Sequence, residues 1–340
     1  MSTTSEETPA AAIVPAGEKA DAILENDDDA KQVKKLFAET RVDGGKKSVW
    51  EMTLETLHMS DAGKSKKEDR TCQTAEQALV QLQTWVQEKK DWEFATTPFD
   101  EFRATKEDLL QAFVHWSRKG GKETDKEDSV SYNVSQAFRR LESYVEWMDK
   151  NCQTLDLRGR TMKEIHQAWN MRLTHDKHGR LIWWIDVDII DLKHIKHNLS
   201  TEDSLRYFVW LSHLVLFDKS AQVNGMTIVN GIGNKRMIDM LTCISMDLGT
   251  KLDRLTIGIL PVKMESYIMF KNPAWVAIVV MIMKPFLTKK MRQRIKTLKS
   301  KHDPQAYFEE EFGKEGIPVG IEMLTGVVET DLIEEALAKQ

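Results

Sequence analysis

Only three cysteines occur in 340 residues, Cys72, Cys152 and Cys243, at wide and irregular intervals. That excludes a disulfide framework and a cysteine metal knuckle, and it suits a reducing cytosol. A bilayer-spanning segment is missing too: the apolar run Ala274 to Met283 (AWVAIVVMIM) has ten residues, about half of the roughly 20 that a transmembrane helix needs. Positive charge is not in excess, with 48 Lys and Arg against 53 Asp and Glu and a net charge of −5, which argues against broad nucleic-acid binding. Catalytic signatures are lacking. There is no G-x-S-x-G elbow, and no Ser, His and acid stand in a hydrolase context. Gly231-Ile-Gly233 lacks the third glycine of a dinucleotide loop. The amino-terminal MSTTSEETPAAAIVP has neither the basic start nor the apolar core of a secretory signal, and neither end carries a myristoylation or prenylation signature.

What is present is concentrated in one junction. The run Ala274–Met283 passes directly into Lys284–Lys301, which holds eight Lys or Arg and no acid. A segment too short to cross a membrane can dip into one, close over an apolar ligand, or be an ordinary buried helix. The adjoining cations suit an anionic surface, at about 1 kcal/mol for each that reaches it, enough for reversible docking. From Leu287 onward, helical spacing places Leu287, Met291, Ile295 and Leu298 on one stripe and Lys289, Arg292, Lys296 and Lys299 opposite, with Lys290 and Arg294 on a flank. Pro285 is expected to bound the apolar helix.

Four regions are expected along the chain. Residues 1–73 are an acidic tail and linker whose composition cannot bury enough surface to order itself, apart from a short helix over Ala30–Ala38. Residues 74–150 form an all-helical module: Thr74 and Gln77 resemble a capping box ahead of Ala78, Leu82 and Trp85. A second helix is capped at Thr105 with Asp108 and stopped at Gly120 and Gly121, and a third runs from Val134 to Lys150. Residues 165–326 read as α/β, and 327–340 as a C-terminal helix. Strands are expected at Leu181–Val187, Met226–Val229, Leu255–Leu260 and Tyr267–Phe270. Helices Glu202–Lys219 and Lys235–Leu248, the latter closed by Gly249, separate the first three. Strand–helix alternation predicts a mostly parallel sheet with flanking helices. The pairs His175/His178 and His194/His197 near Asp186, Asp188 and Asp191 are read as solvated turn histidines, with no metal site expected.

The stretch PVKMESYIMFKNPAWVAIVVMIMKPFLTKKMRQRI (Pro261–Ile295) resembles the gate region of the CRAL-TRIO lipid-binding family, nearest the branch of alpha-tocopherol transfer protein and cellular retinaldehyde-binding protein. Pro261, Pro273, the KPFL of Lys284–Leu287 and Ile295 carry the resemblance. LLQAFVHWSRKG and AFRRLESYVEW resemble its helical module, HGRLIWWIDV and QVNGMTIVN its first core strands, and IPVGIEMLTG its closing segment.

The resemblance implies an α/β lipid pocket floored by the sheet and covered by a lid helix, Asn272–Met283. It implies a bound hydrophobic ligand, an isoprenoid or other lipid, as the sole expected small-molecule occupant: no cofactor, no catalysis. It also implies transfer between membranes by a cytoplasmic, reversibly membrane-associated protein, and phosphoinositide contact at Lys263, Lys290 and Arg294, beside which Lys289 and Arg292 stand. Glu265 replaces an Arg of that set and Ser266 a headgroup Lys of the inositol-lipid branch. The pocket wall is expected from Trp183, Ile185, Ile228, Ile257, Ile259, Met269, Trp275, Val279 and Met283, with Ser212, His213 and Tyr207 as polar contacts. A lipid-sensing, membrane-recruited adaptor is the alternative; an enzyme on the same scaffold is a further rival.

Overall fold

The computed structural model describes residues 41–42, 47–48, 70–89, 92–120, 130–152, 155, 159–235, 245–283, 289–298 and 303–340. The expected helix Ala30–Ala38, the break at Pro285 and residues 236–244 of the expected helix Lys235–Leu248 lie outside them.

A two-residue antiparallel pair, Arg41–Val42 with Lys47–Ser48, precedes the main body. Strand β1 (Thr71–Cys72) leads to α1 (Ala75–Glu88), where the Thr74 side chain accepts from the Gln77 amide. Helix α2 (Lys106–Trp116) opens on a complete Thr105/Asp108 capping box, which satisfies amides that the first turn leaves without partners. It ends at Ser117, short of the glycines expected to stop it. A short strand, β2 (Arg118–Lys119), follows and joins β3 (Ser131–Asn133), so that β1, β3 and β2 form a small antiparallel sheet. Helix α3 (Val134–Cys152) buries Ala137, Phe138, Leu141, Tyr144 and Met148 along one stripe, and α1, α2 and α3 pack as a three-helix unit.

The α/β region begins with α4 (Met162–Trp169), capped by a Thr161/Glu164 box. Strand β4 (Arg172–His175) pairs antiparallel with β5 (Leu181–Asp186). Helices α5 (Leu192–Asn198), α6 (Thr201–Phe217) and α7 (Lys219–Asn224) precede β6 (Met226–Gly231), and α8 (Met246–Asp253) precedes β7 (Met264–Phe270). Helix α9 (Ala274–Met283), helix α10 (Lys289–Arg294) and strand β8 (Ile295–Thr297) come next. Helices α11 (Pro304–Phe312) and α12 (Leu332–Leu337) are the last described α-helices, and single 3-10 turns lie at Asp100–Phe102 and Lys314–Gly316. The five-stranded sheet runs β8-β7-β6-β5-β4, parallel except for the β4–β5 edge pair. The architecture is thus mixed α/β with a mostly parallel sheet, flanking helices and a helical N-terminal region.

Four sequence expectations are corrected. Leu255–Leu260 is apolar enough for a strand, but Arg254–Ile259 is a π-helix continuing α8, and the third parallel strand is β7; an apolar run that short satisfies either geometry once it is buried. Gly249 lies inside α8 rather than beyond a helix end. Helix α10 stops at Arg294, so the expected stripe divides. Ile295 and Leu298 fall on and just beyond a strand, where Ile295 packs near Met269 and Leu298 packs on the opposite side of the sheet near Phe308. His194 and His197 are on α5 and His175 is on β4, rather than in loops.

The two sheet faces have separate cores, as the alternation of side chains along strands requires. Ile182, Trp184, Val229, Ile268 and Phe270 face α11, with Trp184 and Phe270 ring centroids 5.2 and 5.3 Å from Phe308. Trp183 and Ile228 face the other way, into the large core shared with α1–α4 and α6.

Candidate functional site

Register in the parallel sheet sets the site. Trp183, Ile228, Tyr267 and Ile295 lie side by side across β5, β6, β7 and β8, and Ile185, Asn230 and Met269 form the next row. Residues paired in this way share a face. Four of the expected wall residues, Trp183, Ile185, Ile228 and Met269, therefore project from one side of the sheet. Helix α9 packs on that side: Val276 is buried against Ile232 and Met269, with Tyr267, Trp275, Val280 and Ile295 around them. Ala274 and Ala277, by contrast, are exposed. A helix this apolar that is nonetheless partly uncovered presents greasy surface outward as well as inward. The side chains of Val279 and Met283 lie outside the described residues.

The end of α9 nearest the sheet is held by charge. Leaving β7, Lys271 adopts a φ of 51°, and its ammonium lies 2.7 Å from Asp186 Oδ1, 2.9 Å from Asp188 Oδ2 and 3.2 Å from Glu322 Oε2. Burial alone would lower the Lys271 pKa, but its hydrogen bonds to Asp186 and Asp188 outweigh that and raise it. At Asp188 burial opposes ionisation and the Lys271 contact prevails, holding the carboxyl below its ordinary value. Gly233, at φ +64°, passes so close to Asp188 that a Cβ there would fall 1.9 Å from Oδ2; only glycine fits. Asp186 also accepts from the Glu322 amide at 3.0 Å, so one buried carboxylate joins the strand ends, the approach to α9 and the closing segment.

The helical module reaches the same domain through Arg140 on α3. Its guanidinium donates to the carbonyls of Ile259 at 3.0 Å and Leu260 at 2.7 Å, at the end of the π-helix, and stacks 4.2 Å from the Trp116 ring. Cationic donors suit the uncompensated carbonyls of a helix C-terminus. Burial pulls the Arg140 pKa down to about 9.

The remaining expected residues divide clearly. Ile259 is buried in the main core on the π-helix rather than on a strand, and Ile257 shares that segment with its side chain outside the described residues. The Trp183 indole N–H donates to Met171 Sδ at 3.4 Å, and the Trp275 N–H to the Lys235 carbonyl at 3.3 Å. Of the three polar candidates on α6, two are committed elsewhere. His213 Nδ1–H donates to the Val209 carbonyl at 2.7 Å, and its Nε2 lies 2.8 Å from the Tyr144 hydroxyl of α3, which also reaches the Thr96 carbonyl at 2.9 Å. Tyr207 Oη lies 2.7 Å from His166 Nδ1. Burial pushes both histidines down to about 4, Arg172 adding to the effect at His166. The third, Ser212, has a buried hydroxyl without a hydrogen-bond partner. Among the cations, Lys263 donates to the Arg118 carbonyl at 2.9 Å, Arg292 is exposed and Arg294 is half-buried. Lys289 and Lys290 begin α10, their side chains outside the described residues.

Sequence reasoning missed Asn230 and Tyr267, whose side chains meet on the covered face with Asn230 Nδ2 2.8 Å from Tyr267 Oη. The signal was present: an asparagine two positions after Ile228 in the apolar MTIVN shares that residue's face.

Residues 166–322 match the family model described as the CRAL/TRIO domain. Thirty-three chains of solved structures match. One of them, described as the crystal structure of Sfh5, is 14% identical over 76% of this chain and 90% of its own, with a TM-score of 0.46. No curated protein matches. No described helix is long and apolar enough to cross a membrane.

Proposed function

Taking the CRAL/TRIO match of residues 166–322 as premise, we propose that this chain binds one hydrophobic lipid-like ligand between the sheet and α9 and carries it between membranes. The match supports lipid binding in general. What carries the finer reading is the packing of α9: Val276 covers the row that holds Met269 while Ala274 and Ala277 of the same helix stay exposed. A cover of this kind can leave the sheet at limited cost, because only part of its apolar surface is removed from water when it is closed. Lys271 fixes the end at which it pivots.

Departure of α9 exposes apolar surface from both the helix and the floor, and a membrane interface is the place where that exposure is tolerated. Arg292 and Arg294 on α10, with Lys289 and Lys290 beside them, follow α9 directly and supply attraction to anionic headgroups, phosphoinositides included. Four cations at about 1 kcal/mol each give docking that reverses once the cover closes. The ligand leaves or enters as an intact molecule and no bond is made or broken, so the chain is a carrier rather than an enzyme, of the kind found in the tocopherol and retinaldehyde branch.

The test is protein-dependent movement of a fluorescent hydrocarbon-tailed lipid from donor to acceptor vesicles containing anionic lipid, with no other protein added. Transfer faster than spontaneous exchange supports the carrier. Uptake without delivery would favour the adaptor, in which the lipid serves as a recruitment signal, and the absence of any uptake would remove the lipid reading altogether.

A further inference from the structure

Asn230 stands near the end of β6, in register with Ile185 of β5 and Met269 of β7. One end of its amide is engaged by Tyr267, Nδ2 lying 2.8 Å from the hydroxyl oxygen. The other end, Oδ1, is buried and has no hydrogen-bond partner. A buried amide oxygen without a donor is costly and uncommon in a folded protein. Exchanging the two ends of the amide does not remove the problem, because Nδ2 would then be the buried group left over. Its described neighbours within the sheet on this face are Ile185, Ile228, Met269 and Tyr267, and a ligand held between the sheet and α9 would be placed to supply the missing donor.

We propose that Asn230, steadied by Tyr267, binds the polar end of the cargo, and that this end is a hydroxyl: the ligand is a lipid alcohol. This rests on the carrier reading and narrows it. A hydroxyl supplies the proton that Oδ1 lacks and carries no charge. The side chains flanking Asn230 on that face are also uncharged, so a phosphate, carboxylate or ammonium would be desolvated there without a counter-ion. With Nδ2 on Tyr267, an ester or aldehyde brings only acceptor oxygens, which would face another acceptor, whereas a hydroxyl, being both donor and acceptor, satisfies whichever end of the amide faces it. The apolar remainder of the molecule lies along the floor toward Ile228 and Trp183, beneath α9. Sites that hydrogen-bond a substrate hydroxyl discriminate strongly against analogues that lack it.

The experiment is displacement of diphenylhexatriene, a fluorescent hydrocarbon, from the full-length chain by three molecules with one isoprenoid skeleton: phytol, phytyl acetate and phytane. The expected result is that phytol displaces the probe at about tenfold lower concentration than either of the others, the size of effect that one buried hydrogen bond commands. In Asn230→Leu, phytol is expected to fall to the level of phytane. Tyr267→Phe, which keeps the ring and the amide, is expected to narrow the gap without reversing it. Equal displacement by all three in the wild type would mean that water satisfies Oδ1 and would overturn the proposal while leaving the carrier reading standing. A preference for the acetate, or a phytol preference that survives in Asn230→Leu, would overturn it in the same way. If neither the probe nor any competitor binds, the carrier reading fails and the proposal with it. The wild-type ranking decides the matter even if a variant does not fold.

Discussion

Replacing Lys271 with methionine keeps most of the side chain's volume and deletes the charge that lies 2.7 Å from Asp186, 2.9 Å from Asp188 and 3.2 Å from Glu322. The Lys271 side chain is 6% exposed and that of Asp186 1%, so their pair is buried, whereas Glu322 at 55% turns to water once released. Removing one partner of a buried ion pair costs about 3–5 kcal/mol, because the other charge is left in a poor solvent. Asp186 keeps two backbone donors, the amides of Glu322 at 3.0 Å and Asp188 at 3.2 Å, which argues for the low end, about 3 kcal/mol. Urea unfolding of Lys271→Met, Asp186→Asn and the double variant measures it. The double variant should lose less than the sum of the singles by about 1–2 kcal/mol. Lys271 also precedes α9 by two residues, Asn272 and Pro273, so amide exchange in α9 should accelerate in Lys271→Met by more than global destabilisation explains. A loss below about 1 kcal/mol, or strict additivity, would refute the network as an anchor.

Three other outcomes are expected. Arg140→Met removes the donors to Ile259 and Leu260 and should destabilise the chain by about 1–3 kcal/mol, since the buried Ile259 carbonyl loses its donor while that of Leu260 keeps the Val262 amide at 2.8 Å; an unchanged urea midpoint would show that the module does not need this clasp. His166 and His213 are held neutral down to about 4 in the fold but titrate near 6.5 when unfolded. The unfolded chain thus takes up protons that the folded one refuses, and stability should fall as pH drops from about 6.5 to 4. Asp331 works with the opposite sign: burial pushes its carboxyl up to about 6, so its contribution is present at low pH and is lost as pH rises through 6. His213→Gln should therefore flatten the acid slope, and an unaltered slope would contradict the assignment. Reversing Lys289, Lys290, Arg292 and Arg294 to Glu should weaken binding to anionic vesicles at least tenfold, an effect that shrinks with added salt, and leave the circular dichroism unchanged; unaltered vesicle binding would count against docking through α10.

Where side chains repeat, the sequence was readable. The Thr105/Asp108 cap, the stripe Ala137–Phe138–Leu141–Tyr144 and the alternation in LIWWID are local signals and specify α2, α3 and β5 as observed. Leu255–Leu260 was not readable, because a continuously apolar run has no period to distinguish a strand from a buried π-helix. Ile295 fitted a helical stripe with Met291, yet pairing with Tyr267 made it a strand; tertiary contact outweighs propensity in so short a segment. At the site, the strand residues Trp183, Ile185, Ile228 and Met269 were legible as a set, but the alternation alone could not say which face α9 would cover. The partners of Lys271 were invisible for another reason: Asp186, Asp188 and Glu322 are 85, 83 and 51 residues away, and nothing local signals their convergence. His213 and Tyr207 carry the right chemistry for a ligand contact, but packing against Tyr144 and His166 claimed them first.

The central claim is that the face of β5, β6 and β7 under α9 holds one lipid. Native mass spectrometry of the chain after incubation with a mixed membrane extract, followed by solvent extraction and identification of what it carries, tests this most directly. The expected result is a single adduct at one molecule per chain that is lost when Ile228 and Met269 are both enlarged to tryptophan. A chain that stays unliganded, or that binds many lipids without stoichiometry and irrespective of those two substitutions, would contradict it.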